Sequence, residues 1–451
     1  MTHFSQLAQF GLFDARAPRY TSYPTAPHFS TAVGERDFEG WVRAIKPGSQ
    51  ISLYMHVPFC RRLCWFCACR TQGISSDAPL RAYAKTLLAE IDLLRGILPK
   101  GVTLSHLHWG GGTPTLMPAA MIAEVGQAIF SLVPLAKSGA FSVEVDPNEI
   151  DAARLRALTD LGMNRASIGV QDFDPEVQAA IGRNQPFYLT RQVADMIRDA
   201  GISALNVDIL FGLPHQTMAR MAGSVMQLIS LAPSRVALYG YAHVPWISRR
   251  QQMIPAAALP TPQERLRLFE LASDLLAGAG YVAVGIDHFA LPDDGMARAA
   301  KTGQLRRNFQ GYTDDTAEVL IGLGASSISR FSGGYAQNAS RTADYAAAIQ
   351  NNRFSVHRGH IFWQDDYLRG AMIEQLMCEF RIDRARIIQR LGYTPAALDG
   401  LLQTSFDAFK SVLVLDAEGL KLPPVARPLT RLIAQSLDAY VGTKAQHSAA
   451  I

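Results

Sequence analysis

Four of the chain's five cysteines, Cys60, Cys64, Cys67 and Cys69, fall in one short stretch spaced C-x3-C-x2-C-x-C. Thiols gathered this way are ligands for a metal centre. Buried structural thiols have no reason to cluster, and a disulfide framework belongs to an oxidising compartment. On residue type alone two occupants stay open, a closed zinc site and an iron–sulfur cluster. Structural zinc sites pair two C-x2–4-C knuckles, usually about a dozen or more residues apart. Here every thiol shares one loop, and Cys67 and Cys69 are too near each other to wrap one tetrahedral ion comfortably. A cluster spreads its ligands over several irons and suits a compact loop better. The rival from another class is a zinc-stabilised binding protein without catalysis.

Other polar residues stand at chemically useful positions. GGGTPT, Gly110 to Thr115, is a tight turn whose missing side chains also let the backbone approach a ligand. Glu144 and Asp146 fall on one side of a strand end, where a carboxylate either caps a structure or meets a cationic ligand. Gln171 and Asp208 lie at further strand ends, and Arg183 follows Gln171 in the next loop. Cys378 stands alone and reads as a structural thiol.

These residues need elements to position them. Apolar runs predict strands over Ile51 to Val57, Leu104 to Trp109, Phe141 to Val145, Ala166 to Val170, Ala204 to Phe211 and Val236 to Ala242. Helical patterns fall between them, near 79–96, 118–133, 150–161, 188–200 and 217–231. Six strand–helix units of ~30–40 residues describe a parallel α/β architecture with its polar residues at the strand ends. A doubly wound sheet would carry its glycine loop after the first strand. Here cysteines stand there and the glycines follow the second, so a partial (βα)6-type barrel is favoured over 36–364. Past Trp363 the pattern becomes mostly helical, with Asp365 and Asp366 as helix-start residues and a strand-like turn at VLVLDAEGLKL. That stretch, 365–451, reads as a smaller C-terminal domain. Residues 1–35 contain RYTSYPTAPHF, too irregular for a helix, and form a separate segment contributing to the active site.

Composition bounds the rest. The 451 residues are 48% hydrophobic and carry 43 Lys+Arg against 39 Asp+Glu. This excludes whole-chain disorder, collagen and coiled coil. No basic block suggests nucleic acid, and no apolar run reaches the ~18 residues of a membrane span. The first residues lack the basic and apolar regions of a secretory signal, so a cytoplasmic protein is expected.

C-x3-C-x2-C directly after a strand, with Phe66 before the third cysteine, resembles the radical S-adenosylmethionine (SAM) superfamily. The likeness narrows with YMHVPFCRRLCWFCACR (54–70), HWGGGTPT (108–115), EVDPNE (144–149), GVQDF (169–173) and DILFGLP (208–214). YAHVP (241–245), DHFALPDD (287–294), RNFQGYT (307–313) and the early RYTSYPT (19–25) complete the set. In this order they resemble the oxygen-independent coproporphyrinogen III oxidase family over essentially the full chain. The resemblance implies that Cys60, Cys64 and Cys67 hold a [4Fe–4S] cluster whose fourth iron takes SAM. Tyr54, His56 and Phe66 then flank the cluster. Gly111, Gly112 and Thr113 meet the amino-acid end of SAM, and Glu144 its ammonium. Gln171, Arg183 and Asp208 match residues that bind a second SAM. Ala242 and Ile328, core residues by type, become adenine-pocket candidates.

The implied function is oxidative decarboxylation of two propionates of coproporphyrinogen III to vinyl groups by 5′-deoxyadenosyl radicals, giving protoporphyrinogen IX in haem biosynthesis. Four substrate carboxylates call for arginines, with Arg19, Arg183 and Arg307 as candidates. A one-electron donor such as a flavodoxin or ferredoxin is implied, as is a monomer. The alternative within the superfamily is a haem chaperone or a haem-degrading methyltransferase paralogue.

Overall fold

From residue 50 the chain alternates strand and helix. The strands are β1 (Gln50–Val57), β2 (Thr103–Gly111), β3 (Leu135–Val145), β4 (Arg165–Gln171), β5 (Ala204–Phe211) and β6 (Arg235–Gly240). Between them run α1 (Ala78–Arg95), α2 (Ala119–Leu132), α3 (Ala152–Asp160), α4 (Phe187–Asp199) and α5 (Met218–Ser230). Each strand pairs parallel with the next. β1 is buried on both faces, as a parallel strand covered by helices must be. In α1, Leu80, Tyr83, Ala84, Leu87, Ile91 and Leu94 recur at helical spacing and form its buried side. Helix starts carry their own stops: Asp151 accepts the Arg154 amide at 2.8 Å, and Thr217 accepts that of Arg220 at 3.3 Å. The computed structural model describes residues 3–442 and 447–451, so 1–2 and 443–446 of the two terminal segments fall outside it.

The sheet grows beyond six strands at both edges. After α6 (Pro262–Gly278) come β7 (Val282–Val284) and β8 (His288–Ala290); β8 pairs antiparallel with β6, and β7 antiparallel with β8. At the other edge β9 (Leu320–Leu323) lies parallel to β1. It is followed antiparallel by β10 (Ile328–Phe331), β11 (Gly334–Asn338) and, beyond α7 (Thr342–Gln350), β12 (Val356–Ile361). The order is β12-β11-β10-β9-β1-β2-β3-β4-β5-β6-β8-β7, open at both ends. The sequence reading missed these edge strands because three to six residues give too little alternation to detect.

Past residue 363 come α8 (Gln364–Glu379), α9 (Arg384–Leu391), α10 (Pro395–Ala408) and α11 (Thr430–Ser436). A three-stranded antiparallel sheet built from Arg381–Asp383, Val414–Asp416 and Gly419–Lys421 joins them. Their core holds Leu376, Met377, Leu402, Leu429 and Ile433, and it also takes in Leu7, Leu12, Phe13, Tyr20 and Tyr23. The N-terminal segment therefore packs with the C-terminal helices. Arg431 ties the two together by donating to the backbone carbonyls of Ala17, Pro18, Ala449 and Ala450. Cys378 is buried in a small cluster with Met296, Leu305 and Tyr312. Among the described residues no helix is long and apolar enough to cross a membrane.

Candidate active site

One cavity of about 610 Å³ collects the polar residues at the strand ends. Its walls draw on nine strands: Tyr54 and His56 of β1, Gly111 of β2, Glu144 of β3, Gly169 and Gln171 of β4, Asp208 of β5, Tyr239 of β6, Leu320 of β9, Ile328 of β10 and Gln337 of β11. Nine strands laid flat would span about 38 Å, so a cavity touching all of them requires the sheet to curl around it. The curl is what the sequence reading anticipated as a partial barrel.

The cysteine loop roofs this cavity. Cys60, Cys64 and Cys67 are half-buried free thiols facing it, and Cys69 is exposed at its edge. Burial raises the Cys60 thiol to about 11, against a hydrogen bond from Thr113. Cys67 moves the other way. The Cys69 thiol donates to it, and the Arg250 and Arg183 guanidiniums face it, so of that pair Cys67 is the one that ionises. Arg183 Nη1 also donates to Cys64 Sγ at 3.3 Å, while its Nε is buried without a hydrogen-bond partner. Among the described residues no three His, Cys, Asp or Glu side chains converge tightly enough to hold a single metal ion.

The segment 241–254 clamps the loop from outside. Ser248 Oγ donates to the Cys67 carbonyl at 2.9 Å, Gln251 Nε2 to that of Phe66 at 2.6 Å, and Arg250 to Thr71 at 3.0 Å. From below, the glycine turn rises against the loop. The Gly112 amide donates to the Val57 carbonyl and that of Thr113 to Phe59, both at 2.8 Å. A Cβ on Gly112 would sit 2.5 Å from the Phe59 carbonyl oxygen, and one on Gly111, at φ +113°, 2.5 Å from the His56 ring. A side chain on Gly112 would part the two loops, and one on Gly111 would have to displace the His56 ring at a backbone φ that favours glycine.

Glu144 faces the same space. Its carboxylate accepts from the Gly111 amide at 3.0 Å and lies 3.2 Å from His108 Nε2, with 41% of the side chain open to the cavity. Burial works against its charge, but the His108 and Gly111 contacts outweigh it and hold the carboxyl below the usual range. Asp208, across the cavity, goes up to about 6 because burial dominates over its hydrogen bond from Asn206. Gln171 sits at φ +72°, a left-handed backbone uncommon for a side chain of its size. Strain of this kind gathers at ligand sites.

Of the sequence-predicted site residues, Tyr54, His56, Phe66, Gly111, Gly112, Thr113, Glu144, Gln171, Arg183, Asp208, Ile328 and the three cysteines line this cavity. Ala242 does not. β6 ends at Gly240, two residues earlier than the apolar run predicted, and the Ala242 carbonyl is tied to Gln251, which also holds Phe66. Arg19 and Arg307 line a second chamber of about 320 Å³ with Arg265, Arg427 and Arg431. Arg19 Nη2 donates to the Gly240 carbonyl at 2.6 Å, and Arg307 to that of Arg19 at 3.3 Å. Burial, and then the Arg19 charge, lowers Arg265 to about 10 and Arg431 to about 9. Nε and Nη1 of Arg307 are buried with no hydrogen-bond partner. Sequence reasoning missed Phe309, Gln310 and Tyr239, which also line the main cavity. The first two stand inside RNFQGYT, between two three-residue strands too short for alternation to show which side chains face inward.

The radical SAM superfamily profile matches residues 54–227. The chain is 60% identical, over all of both chains, to the oxygen-independent coproporphyrinogen III oxidase of Paracoccus denitrificans. It is 36% identical to that of Escherichia coli, covering 98% of this chain and 96% of the relative. The solved structure of the Escherichia coli coproporphyrinogen III oxidase, described as a radical SAM enzyme, superposes with a TM-score of 0.89 at 35% identity, covering 94% of this chain and 98% of that one. With the thiol loop, the glycine turn and the curled parallel sheet already in place, this full-length likeness makes the chain a member of the oxygen-independent coproporphyrinogen III oxidase family of radical SAM enzymes.

Proposed function

We propose that Cys60, Cys64 and Cys67 hold the [4Fe–4S] cluster of this enzyme and that SAM lies over the glycine turn with its ammonium on Glu144. The donor set supports this. Three free thiols open onto one cavity beside a carboxylate kept ionised, and soft thiolates are the ligands such clusters take. The reaction is oxygen-independent oxidative decarboxylation of two propionates of coproporphyrinogen III to vinyl groups, giving protoporphyrinogen IX. The observation that carries it is the full-length identity to oxidases of this name.

When bound, cluster and SAM supply a primary carbon radical able to take hydrogen from the non-acidic β-carbon of a propionate. The chain's own residues orient and shield. Glu144 fixes the amino-acid end of SAM by charge, and Gly111 and Gly112 leave room for close backbone approach. Phe66, held through its carbonyl by Gln251, helps keep water off the thiols. Each propionate gives up one hydrogen atom, one CO2 and one electron. Arg307, whose buried Nε and Nη1 have no hydrogen-bond partner, Arg19 beside it in the second chamber, and Arg183 at the cavity wall are the arginines we assign to substrate carboxylates. We assign the reducing electron to a flavodoxin or ferredoxin and read the chain as a cytoplasmic monomer. An anaerobic assay with SAM, a reductant and coproporphyrinogen III tests the reaction. A product lighter by two CO2 and four hydrogens is expected, and an unaltered porphyrinogen contradicts it.

We further infer a second SAM on Gln171, Arg183 and Asp208. The support is the strained Gln171 backbone, the unpartnered Arg183 Nε and an Asp208 carboxyl at about 6, ready to ionise beside a cation. Equilibrium dialysis of the reconstituted protein should find two SAM per chain, and one in Asp208→Ala. One in both overturns the second site.

A further inference from the structure

Glu90 lies on the sheet-facing side of α1, 2% exposed, and is not part of the cavity wall. Its carboxylate accepts three hydrogen bonds: from the Gly324 amide at 2.7 Å, Tyr345 OH at 2.8 Å and Asn338 Nδ2 at 2.8 Å. Burial pushes this carboxyl up to about 7 even with the three donors holding it down. Apolar packing at such a depth costs less than a buried carboxyl, so its presence here calls for a positional reason.

The reason is visible two turns earlier on the same helix face. Tyr83 OH donates to the His56 carbonyl at 2.8 Å and accepts from the Ala325 amide at 2.8 Å. The Tyr83 ring packs edge-on against Phe59, 5.4 Å between centroids, and the Phe59 carbonyl takes the Thr113 amide. Gly324, at φ +92°, presses onto this post. A Cβ there would lie 2.4 Å from Tyr83 Oη and 2.6 Å from the His56 carbonyl oxygen. The chain then runs through Ser326, at φ +63°, and brings Ser326, Ser327 and Ile328 into the cavity wall. Two side chains of one helix therefore reach both the approach to Cys60 and the neighbouring wall at Ser326–Ile328.

We propose that Glu90 is a positioning residue, which through Gly324 and Asn338 holds the Ser326–Ile328 wall in register with the cysteine loop that Tyr83 fixes at His56. This rests on reading the cavity as the cluster and SAM site. A carboxylate suits the position because all three partners donate. An amide in its place turns at least one contact into donor against donor.

The test uses the full-length reconstituted protein. Glu90→Gln should keep its iron content but exchange the amides of 322–328 about tenfold faster, and bind SAM about tenfold more weakly by equilibrium dialysis. It should also form more 5′-deoxyadenosine per CO2 released. Tyr345→Phe, which removes one donor and leaves Glu90, should move all three readouts the same way by less, and it carries the test if Glu90→Gln does not fold. Unchanged exchange in 322–328, or faster exchange with SAM affinity and coupling unchanged, overturns the proposal. A wild type that assembles no cluster or binds no SAM sinks the reading of the cavity instead, and the exchange data still judge Glu90.

Discussion

Single substitution of Cys60, Cys64 or Cys67 by Ser is expected to leave a folded protein that assembles no [4Fe–4S] cluster and has no activity above background. A serine hydroxyl stays protonated at neutral pH and is a poor ligand for iron, and three thiolates are the smallest set that holds such a cluster with one iron open. The fold should survive because carbonyls of the loop and the strand entering it accept from the Gly112 and Thr113 amides and from the Ser248 and Gln251 side chains, rather than the loop being held by its thiols. Cys69→Ser should keep its cluster. Cys69 is exposed, its amide lies 3.4 Å from Cys67 Sγ, and a fourth protein thiolate would block the iron that SAM must reach. Iron and sulfide analysis of anaerobically reconstituted variants checks this. Full iron content and activity in any of the first three variants removes that cysteine from the ligand set.

Glu144→Gln is expected to retain fold and cluster while SAM affinity falls roughly 10–150-fold, the equivalent of about 1.5–3 kcal/mol for a charge-assisted hydrogen bond. The amide oxygen can still accept from the Gly111 amide, so the turn keeps its place, while the charge is lost and an NH2 faces His108. The Glu144 carboxyl is held below its ordinary range, so it is ionised throughout neutral pH. Its contribution to SAM binding should be lost only as pH falls through that lowered value. Unchanged SAM affinity would return Glu144 to the role of a structural brace between Gly111 and His108.

Much of this was legible because the signals are local. β5 runs Ala204–Phe211 as its apolar run predicts, and α1 starts and ends within a residue of its predicted limits. The thiol loop, the glycine turn and Glu144 each stand directly at a strand end, where a parallel sheet gathers its polar residues. What stayed hidden depends on partners far along the chain. Gln251 holds Phe66 across 185 residues, and Glu90 meets Asn338 across 248. No spacing rule brings such pairs together. The shared core of the N-terminal segment and the C-terminal helices was hidden for the same reason. The sixth strand stops at Gly240, two residues short of its apolar run, because strand ends are the part of an element that pattern reads least well.

The most direct measurement of the central claim follows label from coproporphyrinogen III deuterated at the propionate β-carbons. A radical that acts there must be held within ~3–3.5 Å of one hydrogen or it quenches elsewhere. The account predicts deuterium in 5′-deoxyadenosine, released in step with CO2. SAM cleavage that is indifferent to coproporphyrinogen and responds to haem, with no deuterium transferred, would contradict it and favour a haem-handling paralogue.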